Sequence, residues 1–215
     1  MGGRAGGGAS GGMGSRSRSG SLERSLASVE NSIRNASVEH GAVLDDDGNI
    51  VWQGTDNKNG RIWIPPEKEK DRIVTHNHPN DVRTPGRARA DGGGSLSRDD
   101  IITAIESDAK EIRAVTRNRV YSLKRPKSGW GVDYGDMGRG FNYKGGKAVP
   151  TPSKKKITEA YRIAKSNVEF RLSRYVKSQG NTKAARDRAF SIKWHLVNKE
   201  FAKATGFSYT STKVK

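Results

Sequence analysis

The charge of this chain is partitioned along it, and that partition constrains the fold more than any other feature. Within residues 21–140, 19 basic and 19 acidic side chains cancel, as in an ordinary globular domain. Residues 1–20 carry three arginines and no acid, and residues 141–215 carry 18 basic and 4 acidic residues. The overall charge of +17 is therefore added to a neutral centre from both ends. Hydrophobic residues make up 32% of the chain and glycine fills 26 of its 215 positions, so not all of it can be packed interior. A core of roughly 100–130 residues is the most that this composition supports.

Several classes are excluded at once. The chain has no cysteine, which removes disulfides, thiolate catalysis and any zinc site built on sulfur. No window approaches the ~18–20 apolar residues of a membrane span. The N-terminus lacks the apolar segment of a signal peptide. The expectation is a protein of a cytoplasm, or one packaged from it, with no membrane contact.

Periodicity divides the chain further. Residues 1–20 are rich in Gly and Ser, have nothing to bury, and are expected to be disordered. Leu22, Leu26, Val29 and Ile33 recur at helical spacing and predict a helix to about Ala36. Strands are expected at 41–44, 50–53, 61–64 and 72–76, with a turn at Asp46–Asn49 and stops at Pro65 and Pro79. Residues 80–96 read as a long loop, followed by a helix from Ser97 with Ile101, Ile105 and Ala109 on its apolar face. A second hairpin is expected over 111–116 and 120–123. This order predicts an α+β domain over 21–140 with a mixed, mostly antiparallel sheet and flanking helices. Beyond Thr151, two helices are expected, split at Gly180–Asn181 and ended by Gly206, forming a basic helical extension over 151–210.

The chemistry concentrates in His76-Asn-His78-Pro79, which holds two of the four histidines at the end of a predicted strand. Residues i and i+2 of a strand share a face, so both imidazoles converge on one point. That suits two nitrogen ligands to one Zn²⁺, and Ser97-Arg-Asp-Asp100 opens a helix that can supply an oxygen ligand. Upstream, Glu39 sits just before a strand, where it could act as base on a water; Glu30 is a second upstream carboxylate.

Glu39, His76-x-His78-Pro79 and Ser97-x-x-Asp100 together resemble the JAB/MPN metalloprotease-like family. The stretch Thr75-His-Asn-His-Pro79 is similar to its RadC branch and to JAB-type domains of phage virion proteins. The resemblance covers about residues 22–125. It implies a layered JAB/MPN fold, with His76, His78 and Asp100 as zinc ligands. It also implies Glu39 as general base, Ser97 as donor to the developing oxyanion, and a peptide or isopeptide substrate. The 17 residues between Pro79 and Ser97 exceed the family's usual spacing and carry Arg83, Arg87 and Arg89.

Plainer readings stand beside these. An isolated H-x-H is often a surface pair, and Ser97-x-x-Asp100 is also a helix capping box. His40 and His195 read as structural. The literal His-Asn-His string is not the dispersed motif of HNH nucleases, and Lys144-Gly-Gly-Lys147 is not a phosphate-binding loop. The basic stretch 141–215 is either a solvated face or a surface for nucleic acid or another polyanion. A non-enzymatic, nucleic-acid-associated or virion protein that keeps the JAB fold is therefore the alternative function.

Overall fold

The computed structural model describes residues 14–56, 62–79, 94–131, 141–144, 147–150 and 152–214. Helix α1 (Gly14–Ile33) begins inside the segment whose composition predicted disorder. Residues 14–20 extend a helix already anchored by Leu26, Val29 and Ile33, because each added residue gains a hydrogen bond without a new nucleation cost.

Strands β1 (Glu39–Leu44) and β2 (Ile50–Asp56) form the first hairpin. Its turn is built by Asp45, whose side chain accepts from the backbone N–H of Asp47 and Asn49, and by Gly48 at φ 88°. A Cβ at Gly48 would come within 2.9–3.0 Å of Ser25 and Leu22, so the turn needs glycine on both conformational and steric grounds. A short helix α2 (Pro66–Glu69) leads to β3 (Ile73–Asn77), and α3 (Arg98–Glu106) leads to the hairpin β4 (Glu111–Val115) and β5 (Arg119–Lys124). The expected strand at 61–64 is absent over its described residues 62–64. Ile64 packs against the core without a ladder, and Pro65 and Pro66 turn the chain into α2 instead.

Two strands, β6 (Phe141–Lys144) and β7 (Lys147–Pro150), pair as a small separate sheet that the sequence reading did not contain. Helices α4 (Pro152–Ser178) and α5 (Lys183–Thr205) follow. Gly180 and Gly206 lie at φ 65° and 75° at the ends of these helices. Thr182, rather than Asn181, caps α5 by accepting from the Ala185 N–H, while Asn181 sits at φ 55°. A last strand, β8 (Ser208–Lys213), was also not legible in the sequence.

The main sheet has six strands in the order β2-β1-β3-β4-β5-β8. Only β3 and β4 run parallel, so the fold is α+β with a mixed sheet flanked by helices. Strand alternation gives the sheet two distinct faces. Ala42, Leu44 and Ile73 pack under α1 with Leu26, Val29 and Ile33. Val43, Val74, Ile112, Tyr121 and Leu123 face the other way and meet Ile101 and Ile105 of α3, Tyr161 and Val168 of α4, and Val197 and Phe201 of α5. This second core runs continuously across the boundary expected between residues 140 and 151. The basic helices are thus built on a buried stripe that completes it, and a fully buried side chain such as Phe201 contributes about 1.5–3 kcal/mol. The expected disorder of residues 1–13, the loop 80–93 with Arg83, Arg87 and Arg89, and the domain end at 132–140 lie outside the described residues.

Candidate metal centre

Four side chains from three elements meet at one edge of the second core. Glu39 opens β1, His76 lies on β3, His78 follows β3 directly, and Asp100 occupies the first turn of α3. Register explains the first meeting. Gly41 of β1 pairs with His76, and Glu39 shares a face with Gly41, so Glu39 and His76 project to the same side. The same alternation sends His40 to the opposite face.

The imidazole Nε2 atoms of His76 and His78 are 2.9 Å apart. Asp100 Oδ2 lies 3.5 Å from His76 Nε2 and 3.3 Å from His78 Nε2, and Glu39 Oε1 is 4.0 Å from His76 Nε2. His76 is almost fully buried, and the other three are partly so. Glu39, His76 and His78 form a group whose ligand atoms all lie within 4.8 Å of one another, and such a group can hold a metal ion. Asp100 falls outside that triplet yet lies closer to both imidazoles than Glu39 lies to His76, so it is the nearer oxygen donor.

The arrangement is held from behind. Gly94 offers only a carbonyl to His78 Nδ1, at 2.8 Å, so Nδ1 must carry the proton. In a neutral ring this leaves Nε2 bare toward the cluster, as a metal ligand requires. Ser97 and Asp100 form a reciprocal capping box: the Asp100 N–H donates to Ser97 Oγ at 3.1 Å, and the Ser97 N–H donates to Asp100 Oδ2 at 2.6 Å. The plainer capping reading of Ser97-x-x-Asp100 is therefore present, and the same Oδ2 also faces both histidines.

Charge follows this geometry. Burial works against protonation of His76, but Asp100, Glu39 and Glu69 outweigh it and raise its pKa. Burial likewise favours neutral Asp100, yet the two imidazoles hold its carboxyl well below the usual carboxylate range. The cluster concentrates negative charge around a point where a cation, or a proton, is stabilised.

Glu30, the other upstream carboxylate, is on the far face of the sheet. It accepts from Arg113 Nε and from Thr75 Oγ1 there. His195 bonds the hydroxyl of Tyr209 through Nδ1, at 3.0 Å. Two contributors were not singled out from sequence. Gly94 carried no signal, because a backbone carbonyl has none. Asn77 did carry one, as the residue between two same-face histidines. It is fully buried, accepts from the His40 N–H at 2.6 Å and donates to the Val38 carbonyl at 3.1 Å, tying the start of β1, and with it Glu39, to β3.

Among the described residues, no helix is long and apolar enough to cross a membrane. No protein-family model matches this chain, and neither a curated protein nor a solved structure matches it.

Proposed function

We propose that the chain is a zinc-dependent amide hydrolase of JAB/MPN type, acting on a peptide or isopeptide bond. One observation carries this reading. Two ligands at about 2.0–2.1 Å from a tetrahedral zinc lie about 3.3 Å apart. The edges joining His76 Nε2, His78 Nε2 and Asp100 Oδ2 are 2.9, 3.3 and 3.5 Å. Two imidazoles and one carboxylate are also a donor set that suits zinc and leaves a position open.

When bound, zinc supplies a Lewis acid for the amide carbonyl and lowers the pKa of water. The chain's own residues supply the rest. Glu39, whose Oε1 lies farther from His76 Nε2 than Asp100 Oδ2 does, accepts the proton of the attacking water and passes it to the leaving amine. The Ser97 hydroxyl, which accepts from the Asp100 N–H, keeps its own hydrogen to donate to the oxyanion. His78 is kept in the ligating tautomer by Gly94.

A second reading has its own support. Helices α4 and α5 carry 14 Lys and Arg against four acids. Those four, Glu159, Glu169, Asp187 and Glu200, are already paired with Arg162, Lys193, Lys183 and Arg171. The remaining excess forms a cationic surface suited to nucleic acid, as a virion or nucleic-acid-associated protein would need.

Elemental analysis decides between the two. One zinc per chain is expected in wild type and in Glu39→Gln, with loss in His76→Ala, His78→Ala and Asp100→Ala. Chelator-sensitive amide hydrolysis in wild type should fall about 10²–10⁴-fold in Glu39→Gln. A folded wild type that takes up no zinc, yet binds nucleic acid with strong salt dependence, would leave the second reading.

A further inference from the structure

Building on the metal-centre reading, we infer that Asn198, in the basic C-terminal extension, is a positioning residue of that centre. It acts through residues 94–97. This short segment carries three groups that shape the site: the Gly94 carbonyl that fixes the His78 tautomer, the Ser97 N–H on Asp100 Oδ2, and the Ser97 hydroxyl on the Asp100 N–H. None of them belongs to a strand or to the body of a helix, so an external contact has to hold the segment in place.

That contact comes from α5. Asn198 is fully buried and donates through Nδ2 to the Leu96 carbonyl at 2.8 Å and to Ser95 Oγ at 2.9 Å. A carbonyl can only accept, so the amide nitrogen, not its oxygen, must face Leu96. Asn198 Oδ1 is left buried with no hydrogen-bond partner among the described residues. A side chain chosen only to fill space would not carry such an orphan; the two donated bonds are what the asparagine provides. Ser95 Oγ also bonds Tyr209 of β8 at 2.7 Å, and Tyr209 bonds His195 of α5. The last helix and the last strand thus grip the segment at adjacent residues, with Leu96 fully buried between them.

The test compares Asn198→Leu with a control of similar cost elsewhere in the same core. Leucine keeps the branched shape of four side-chain heavy atoms, removes the orphan oxygen and deletes both donated bonds, so the variant is expected to fold at a cost comparable to that of the control. Val168→Ala, in α4, opens a cavity in the same core but touches none of the three groups. In metal-free protein, ¹⁵N NMR of His78 should show an Nδ1–H held in a hydrogen bond in wild type and Val168→Ala, and loss of that bonded signal in Asn198→Leu. Zinc affinity, by chelator competition on folded protein, should fall about tenfold in Asn198→Leu alone, the low end of the range for residues that orient a metal's ligands. Unchanged His78 shifts in folded Asn198→Leu would overturn the role of Asn198. A wild type that takes up no zinc would overturn the metal reading instead, while the shifts of the metal-free protein would still decide the tautomer role.

Discussion

On the face of the sheet toward α1, Glu30 and Glu111 close on Arg113; on the opposite face, Glu39 and Asp100 close on two imidazoles. The strands are the same, since Thr75 pairs with Arg113 and the next residue, His76, pairs with Ala114. On the α1 face, Arg113 donates to Glu30 and to Glu111, and Ser122 and Thr75 add hydroxyl donors to the same carboxylates. Burial works against the Arg113 charge, yet its two carboxylates more than offset this and raise its pKa. That cluster carries its own cation. The other has a matching pair of carboxylates, but its nitrogen partners are imidazoles, which can be neutral and ligating. Charged side chains buried in complementary pairs hold a fold together; acceptors converging without a permanent cation hold a place for one.

The sharpest way to break this comparison is Arg113→Ala. It leaves Glu30 without its cation and Glu111 with only Lys124, 3.5 Å from its Oε2, and both carboxylates are almost fully buried. Removing one partner of a buried pair typically costs about 3–5 kcal/mol. Urea unfolding should show that loss, while zinc uptake per folded chain stays at the wild-type level. Loss of zinc from folded Arg113→Ala would show that the two faces are coupled and not independent.

Glu69 sharpens the comparison as an intermediate case. Its carboxylate is buried and accepts from the Ser107 hydroxyl, and burial raises its pKa from 4.5 to about 7, with Ser107 and His76 pulling the other way. The neutral form is the one the fold prefers. The stability linked to Glu69 is therefore fully present below about pH 4.5, and it is lost as pH rises through about 7. By linkage, the loss approaches roughly 3 kcal/mol at alkaline pH. Glu69→Gln keeps an acceptor for Ser107 and cannot ionise. It should match wild type at pH 4 and be more stable at pH 8 by denaturant unfolding. Equal stabilities at both pH values would mean that the buried carboxylate meets no such penalty.

How much of this was legible in the sequence follows from how local each signal is. The His76–His78 pair was, because two-residue alternation places both rings on one face without any tertiary information. Asp100 was visible only as part of a helix start, and the same four letters serve as a capping box, so sequence could not separate two uses that the structure combines. Strand β8 was not legible: Ser208-Tyr-Thr-Ser-Thr-Lys213 alternates weakly and becomes a strand by pairing with β5, a contact across more than eighty residues. Asn198 looked like one polar residue on a basic helix, and only its burial against Ser95 and Leu96 distinguishes it. The charge partition set residues 21–140 apart as a neutral domain, and the core that supports the histidines also draws Tyr161, Val197 and Phe201 from beyond it. Net charge is a property of surfaces and carries no record of which side chains are buried.

The smallest expected effect on stability belongs to Ser97, and it separates two roles of one hydroxyl. As helix cap, Ser97 Oγ accepts from the Asp100 N–H, and replacing such a cap by alanine costs about 1 kcal/mol, by glycine only a few tenths. The bond that orients Asp100 Oδ2 comes from the Ser97 backbone, so it survives either substitution. Zinc content should then stay near wild type in Ser97→Ala and Ser97→Gly, with thermal unfolding lowered more in the alanine variant. Hydrolysis follows a different order. If the hydroxyl donates to the oxyanion, both variants lose it equally, and removing one such donor typically lowers kcat by about 10²–10³. Ser97→Gly is therefore the decisive variant, nearly intact in stability and zinc but slow in turnover. Turnover that instead tracks stability, with Ser97→Gly close to wild type, would reduce Ser97 to a cap and leave the oxyanion to another donor.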